Sequence, residues 1–476
     1  MILIEKKYSK LFNNSIIFAI GNLGSKLISF ALVPMYTYVL TTEQFGTVDF
    51  IITITTMLLP VLSLCLHEAV LRFSMNNTNS KKILNISLSL INIINIFIFI
   101  VCGFIFYYTN NKIILYVSII LIFQNIQVIL SQYTRAIEKV KVYALNGVIM
   151  TFVLLVSNIL LLVVFKTGIY GYLCSIIISN FVSIIFLSIS INLLKIVNLK
   201  SFDIIEIKKL LKFSLPLMPN NLMWWVMNAS SRLFIVYYFS ASENGLFAVS
   251  AKIPTIISVV YAIFFQAWQL SAIDEYKSKD SSKFYTDVFK YLSLTLILLS
   301  SVIIIFVQPI VKIILSQSFY ESWKYVPLLL VANIFSSFSS FVGTTYTVSL
   351  KTKGAFTSSF LGAIISVFIN LLLIPRIGIA GACMSQFISF MFIWIYRHIE
   401  TNKMIEIKIA KEQIISICII ILQSLLVFFI TSSSLLMVVQ GILFIFIFIV
   451  NINNIKVIFV KIKVVFVKRN LKKNEK

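Results

Sequence analysis

A chain of 476 residues that is 59% hydrophobic and only 12% charged, with a mean hydropathy of +0.99, departs far from the balance of a soluble globular protein and reads as an integral membrane protein. Forty Lys and Arg against 17 Asp and Glu give a formal charge of +23, which could suggest nucleic acid. The basic residues instead gather at the ends of apolar runs and in the tail "KVIFVKIKVVFVKRNLKKNEK", the distribution expected for attraction to an anionic membrane leaflet, so no nucleic-acid partner is expected.

The first apolar run lies in "MILIEKKYSKLFNNSIIFAIGNLGSKLISF". Basic residues before an apolar stretch superficially resemble a signal peptide, but the stretch is too long for one and lacks a small-x-small cleavage site, so it is expected to be retained as span 1. A bilayer core requires about 20 apolar residues per spanning helix because no water satisfies an exposed backbone there. By that measure about fourteen spans follow one another: 12–40, 47–74, 83–108, 113–135, 142–165, 169–194, 210–239, 245–271, 285–308, 325–350, 355–375, 378–398, 412–431 and 434–454. The longest cytoplasmic connections, 195–209 and 272–284, are too short for a soluble module. No catalytic domain outside the membrane is expected, and the chain is not expected to be an enzyme.

Placing the N-terminus inside puts most Lys and Arg on the cytoplasmic side and leaves Lys112, Lys166, Lys312, Lys324 and Arg376 outside, as the positive-inside rule requires. An even number of spans then puts both termini in the cytoplasm. The cysteines at 65, 102, 174, 383 and 418 all fall within spans and show no metal-ligand spacing, which makes them packing residues. No cofactor or metal is expected.

Removing the flanking charges leaves Lys26 in span 1, Arg72 in span 2, Arg232 in span 7 and Lys252 in span 8, against Glu68 and Asp49 in span 2. A charge facing lipid costs about 2.5–3.5 kcal/mol on insertion scales, so these residues should face an aqueous cavity or one another. In "LCLHEAVLRF", Glu68 and Arg72 are spaced i,i+4 and can pair, while His67 points about 100° away around the helix. A packing ion pair with Arg72 snorkelling to the interface, and a simple interhelical hydrogen bond from His67, are the bland alternatives. Lys26, Arg232 and Lys252 have no acid at helical spacing, so any such cavity is net positive, with cations laddered through the membrane.

The chain also repeats itself. "TTEQFGTVDF" between spans 1 and 2 is echoed by "SASENGLFAV" between spans 7 and 8, and "NILLLVVFKTGIYG" by "NLLLIPRIGIAGA", at offsets of roughly 200 residues that argue for two six-helix lobes related by duplication. The expected fold is an all-α polytopic membrane protein: an N-lobe (1–200, spans 1–6), a pseudo-symmetric C-lobe (201–408, spans 7–12), and spans 13–14 with a basic cytoplasmic tail (409–476).

Taken in order, "PMYTYVLTTEQFGTVDF" (34–50), "HEAVLRF" (67–73), "GLFAVSAKI" (245–253), "FQAWQL" (265–270) and "NLLLIPRIGIAGA" (370–382) resemble the polysaccharide-transport, Wzx-like branch of the multidrug/oligosaccharidyl-lipid/polysaccharide exporter superfamily. The resemblance implies a V-shaped cavity lined chiefly by spans 1, 2, 7 and 8, the four spans that carry the membrane cations. It also implies a polyprenyl-pyrophosphate-linked oligosaccharide as substrate, flipped from the inner to the outer leaflet of the bacterial cytoplasmic membrane for capsule, O-antigen or other surface polysaccharide. Lys26, Arg72, Arg232 and Lys252 would hold the diphosphate. Asn22, Asn228, Gln266 and Trp268 would hold sugar hydroxyls, with interhelical bonding and packing as their alternative. Glu68, Arg72, Asp49 and His67 are the ion-pair or coupling candidates. Family members often carry an acid immediately before the span 7 arginine, where this chain has Ser231, so proton or sodium coupling stays open. Further partners would be membrane lipid, a polysaccharide polymerase and glycosyltransferases, and spans 13–14 would offer a groove for the lipid tail. Two rivals are a multidrug exporter of the same fold, which would want carboxylates for cationic drugs, and a membrane-embedded glycan polymerase or ligase, which would need a base or nucleophile that is not visible.

Overall fold

The computed structural model describes residues 24–457 apart from 27, 76–78, 197–202, 277, 279, 350 and 431, with only the backbone of 266, 267, 270, 274 and 352. Among the described residues all regular structure is helical. Helical residues 24–26 and 28–39 form α1. It is followed by α2 (Thr42–Leu62), α3 (Leu66–Ser74), α4 (Ser80–Thr109), α5 (Ile113–Ala136), α6 (Val140–Asn158, continued by a π-helical turn, Ile159–Val164), α7 (Gly168–Ile191), a four-residue α8 (Leu193–Ile196) and α9 (Ile204–Ser214). Then come α10 (Leu217–Tyr238), α11 (Ala241–Ser250), α12 (Thr255–Glu275), α13 (Ser281–Ile314), a 3-10 segment (Gln317–Lys324), α14 (Val326–Val348), α15 (Thr352–Ile377), α16 (Ile379–Thr401), α17 (Lys411–Leu426) and α18 (Ser433–Val450).

Helix occupies at least part of all fourteen expected intervals. Among the described residues ten helices are long and apolar enough to cross a membrane, or eleven if the α11–α12 pair counts as one span. The protein is an all-helical, multi-pass membrane protein.

Span 2, expected as one helix, is broken. Leu64 and Cys65 both take φ of 49°, a left-handed conformation that costs a β-carbon-bearing residue about 1–2 kcal/mol. The break follows Pro60, whose carbonyl accepts instead from the Cys65 N–H at 3.2 Å. The connection expected at 195–209 likewise carries α9, started by Asp203, whose Oδ1 accepts from the N–H groups of Ile205 (3.0 Å) and Glu206 (3.3 Å) as an N-cap. Lys82 at the head of α4 donates to Asp203 Oδ2 at 2.6 Å and ties α9 down.

Packing follows the logic of a lipid solvent. On α4, Ile93, Ile96, Phe97, Ile100 and Phe104 are exposed, whereas Asn85, Ser87 and Asn95 are buried. Tyr107 and Tyr108 end the helix exposed, as an aromatic belt would. Because lipid gives no hydrophobic drive between helices, small and polar side chains join them. Asn125 of α5 donates to Asn95 of α4 at 3.0 Å, and Ser183 of α7 bridges Gln127 (3.3 Å) and Asn146 (2.8 Å).

The chain divides into two compact units: Met1–Val249 with Leu315–Phe319 and Ser366–Ala382, and Ser250–Ile314 with Tyr320–Ile365 and Cys383–Lys476. The first gathers α9, α10 and α11 with the helices before them. In the second, α14 is the central helix, with 78% of its most apolar window buried.

Candidate functional site: a clamped arginine at a helix seam

Within the first unit the heads of α2 and α11 meet so closely that side chains are excluded. A Cβ at Gly46 would lie 1.7 Å from the Ala241 carbonyl oxygen, and one at Gly245 would lie 2.1 Å from that of Thr42. The contact is reciprocal, each glycine facing the carbonyl at the start of the other helix, as two copies of one motif related by a pseudo-two-fold would do. Thr42 Oγ1 and Ser242 Oγ share a hydrogen bond of 2.7 Å across the seam. On the α2 side the local signal is a capping box: Thr41 Oγ1 accepts from the Gln44 N–H at 3.1 Å, and Gln44 Oε1 accepts from the Thr41 N–H at 3.3 Å.

One turn below this seam lies the charge pair. Arg232 of α10 donates from Nε to Asp49 Oδ2 of α2 at 2.7 Å, with 15% and 12% of the two side chains exposed. Asn244 of α11, fully buried, donates 2.8 Å to the Gly46 carbonyl and lies 3.5 Å from Asp49 Oδ2. Arg232 Nη1 donates to the Asn228 carbonyl at 3.2 Å, and the guanidinium sits 5.3 Å from the Phe247 ring centroid, a cation–π distance. Three helices therefore meet at one salt bridge. Arg232, which has no acid at helical spacing, meets the carboxylate of a different helix, Asp49 being one of the expected ion-pair candidates; spacing along one segment cannot reveal which cation it takes.

The second expected pair does not form. Among the described residues Glu68 Oε1 is 3.6 Å from His67 Nε2 and has no ion pair with Arg72, which is exposed. Arg72 extends outward instead of pairing along α3, as the snorkelling alternative allowed. Lys26 is exposed and Asn228 is exposed one turn from Arg232, its Nδ2 donating to the Trp224 carbonyl at 2.8 Å. Lys252 lies half-buried in the turn after α11, in the second unit. Asn22 lies outside the described residues, and of Gln266 only the backbone is described.

Trp268, expected to hold sugar hydroxyls, is enclosed by aromatic packing. It is 2% exposed, stacks on Phe341 at 4.3 Å and meets Tyr285 edge-on at 4.8 Å, and its Nε1–H is taken by Thr344 Oγ1 at 3.2 Å. Its surface is used in packing, the alternative weighed for it.

Two features escaped the sequence reading. Ser231 donates to Asn370 Oδ1 at 3.0 Å, and Asn370 Nδ2 donates to Ser230 at 3.2 Å. The echo motif at 370–382 thus packs on α10 by neutral bonds. Arg397, counted above as a cytoplasmic flanking charge, is only 4% exposed. In the second unit its guanidinium donates to Ser358 Oγ (2.8 Å), Ser359 Oγ (3.0 Å) and the carbonyls of Ser339 (3.2 Å) and Ala355 (3.4 Å). The sequence signal was the density of serine in "SSFSS" and "TSS", which marks polar helix faces. Among the described residues no three His, Cys, Asp or Glu side chains gather as a metal site.

Residues 11–269, which include α2, α10 and α11, match the family model of the polysaccharide biosynthesis proteins. The chain belongs to that family. A protein of the Lsg locus of Haemophilus influenzae is 24% identical over 257 residues, covering 52% of this chain and 63% of that relative, so the match spans less than two thirds of the relative's length. Among solved structures the fold is similar to the lipid II flippase MurJ in an inward closed conformation, with a TM-score of 0.71, 14% identity and coverage of 93% of this chain and 100% of that one. It is also similar to a MATE-family multidrug resistance transporter in an inward-facing conformation, with a TM-score of 0.61, 13% identity and coverage of 83% and 94%. This member of the polysaccharide biosynthesis family therefore has the fold shared by those transporters.

Proposed function

We propose that the protein flips a polyprenyl-pyrophosphate-linked oligosaccharide from the inner to the outer leaflet of the bacterial cytoplasmic membrane, exposing a cationic site alternately to the two membrane faces. The observation that carries this reading is the clamped guanidinium of Arg232: a cation inside the membrane, held by a single carboxylate, in a family of polysaccharide biosynthesis. A diphosphate cannot cross hydrocarbon unaided. It can take the place of Asp49 on Arg232, because both are anionic oxygen acceptors for the same N–H donors. Lys26, Arg72 and Lys252 add positive charge along the spans, with Asn228 beside Arg232 for sugar hydroxyls. Two duplicated six-helix lobes (1–200 and 201–408), cytoplasmic termini and collaboration with a polymerase and glycosyltransferases belong to the same proposal.

The surplus of cations over acids within the spans favours an anionic substrate over the cationic drugs of a multidrug exporter. The test is reconstitution with a labelled lipid-linked oligosaccharide, scoring its arrival in the opposite leaflet. Properly inserted Lys26→Ala, Arg232→Ala and Lys252→Ala variants should each lose roughly ten- to a hundredfold in apparent affinity, whereas Lys403→Ala, on an exposed turn, should not. Transport at the parental rate by all three would reject the cationic mechanism.

A further inference from the structure

The second unit holds a cavity of about 300 Å³ between the C-terminal part of α13, the 3-10 segment and the head of α18. Its lining changes character along α13. Ile304, Ile305 and Val307 with Leu436 and Met437 of α18 make an apolar wall, and Gln308, Lys312 and Tyr320 make a polar one. From Ile304 to Lys312 is eight residues, roughly 12 Å along a helix, so the polar end sits at the membrane surface where α13 ends and the apolar end reaches toward the acyl region.

The polar end is a set of donors. Ser433 hydrogen-bonds to Gln308 Oε1, which occupies the acceptor of that amide and leaves its NH₂ to donate. Lys312 is exposed in the last turn of α13, and no carboxylate reaches it among the described residues. The neighbouring acid Glu321 is paired with Lys324. Tyr320 adds a hydroxyl. An ammonium, an amide NH₂ and a phenol around one opening suit an acceptor-only, negatively charged group, and the apolar wall below suits the hydrocarbon attached to it.

We infer that this cavity binds an anionic glycerophospholipid of the surrounding leaflet, its phosphate on Lys312, Gln308 and Tyr320 and the start of an acyl chain against Ile304, Leu436 and Met437. Charge argues for a bulk lipid: none of the lining residues is a cation assigned to the transported diphosphate, and of spans 13–14, expected to hold the substrate's tail, only α18 contributes, so a polyprenyl occupant is the rival outcome of the test.

The full chain, purified in detergent and analysed by native mass spectrometry against phosphatidylglycerol and phosphatidylethanolamine, tests this. One phosphatidylglycerol should be retained in preference to phosphatidylethanolamine. Lys312→Ala should weaken that retention about tenfold, Lys312→Arg should keep most of it, and Lys403→Ala, on an exposed turn away from the cavity lining, should leave it unchanged. Met437→Trp, which fills the apolar wall but spares all three donors, should also displace the lipid, and retention by Lys312→Arg separates loss of charge from misfolding. Equal retention of both lipids, an unaffected Lys312→Ala protein, or binding of a polyprenyl phosphate at this site in place of phosphatidylglycerol would overturn the inference.

Discussion

Arg232 and Arg397 are both arginines set into the membrane-spanning part of the chain, one in each compact unit, and their surroundings differ in kind. Arg232 keeps 15% of its side chain exposed and meets one carboxylate at 2.7 Å. Arg397 is 4% exposed and caged by two serine hydroxyls and two backbone carbonyls from α14 and α15. A lone ion pair on a guanidinium is one that another anion can replace; four hydrogen bonds to oxygens of two helices, with the Glu400 carboxylate close by, hold an arginine in one place. The first arrangement suits a residue that must exchange partners, the second one that fixes three helices together.

The strongest way to break this comparison is Arg397→Leu. It removes the guanidinium and strands Ser339 O, Ala355 O and two serines, with an expected cost of about 3–5 kcal/mol read as lost monodisperse protein or a large fall in Tm. Arg397→Lys should not rescue it, since an ammonium cannot fork to four oxygens. If Arg397→Leu were as stable as the parent, the structural role would fall.

The seam above Arg232 comes next. Gly245→Ala must push α11 off the Thr42 carbonyl, at an expected cost of about 1–3 kcal/mol in thermal unfolding. Gly46→Ala should do the same, because the contact is reciprocal. A cost at one position alone would contradict the pseudo-two-fold reading.

Breaking the clamp itself should separate transport from stability. Asp49→Asn and Arg232→Gln, alone and combined, should show a coupling energy of about 1–2 kcal/mol in unfolding but a much larger loss of flipping from Arg232→Gln than from Asp49→Asn. Equal transport losses would argue that the pair only braces helices, as Arg397 does.

Smallest is the Asp203 contact, a surface reference for both. The Lys82 ammonium, followed by the Glu206 and Ile205 N–H groups, holds the Asp203 carboxyl below the usual carboxylate range. A carboxyl whose folded pKa is depressed contributes stability that is full above its unfolded value, about 3.9, and lost as pH falls through the lower folded value. The Tm difference between parent and Asp203→Asn should therefore be constant from pH 8 to 5 and shrink only below about pH 4. A difference vanishing near neutrality would assign the effect to another group.

Membrane class, the helical fold and nearly every helix position were legible in the sequence, because lipid imposes one strict rule on every span and that rule is written in consecutive apolar residues. Arg232 was legible as a charge inside an apolar run, whereas Arg397, at the end of its run, was not. The partners of neither were legible. Asp49 and Arg232 are 183 residues apart, the Arg397 cage is drawn from segments 38 to 58 residues away, and Trp268 looks the same in a sequence whether it faces a sugar or Phe341. Helical spacing reports only neighbours on one helix, so it offered Glu68 with Arg72, whereas in the structure Arg72 is exposed and Glu68 lies 3.6 Å from His67. Which polar group meets which is decided when helices choose their faces, and that choice belongs to packing between segments distant in the chain.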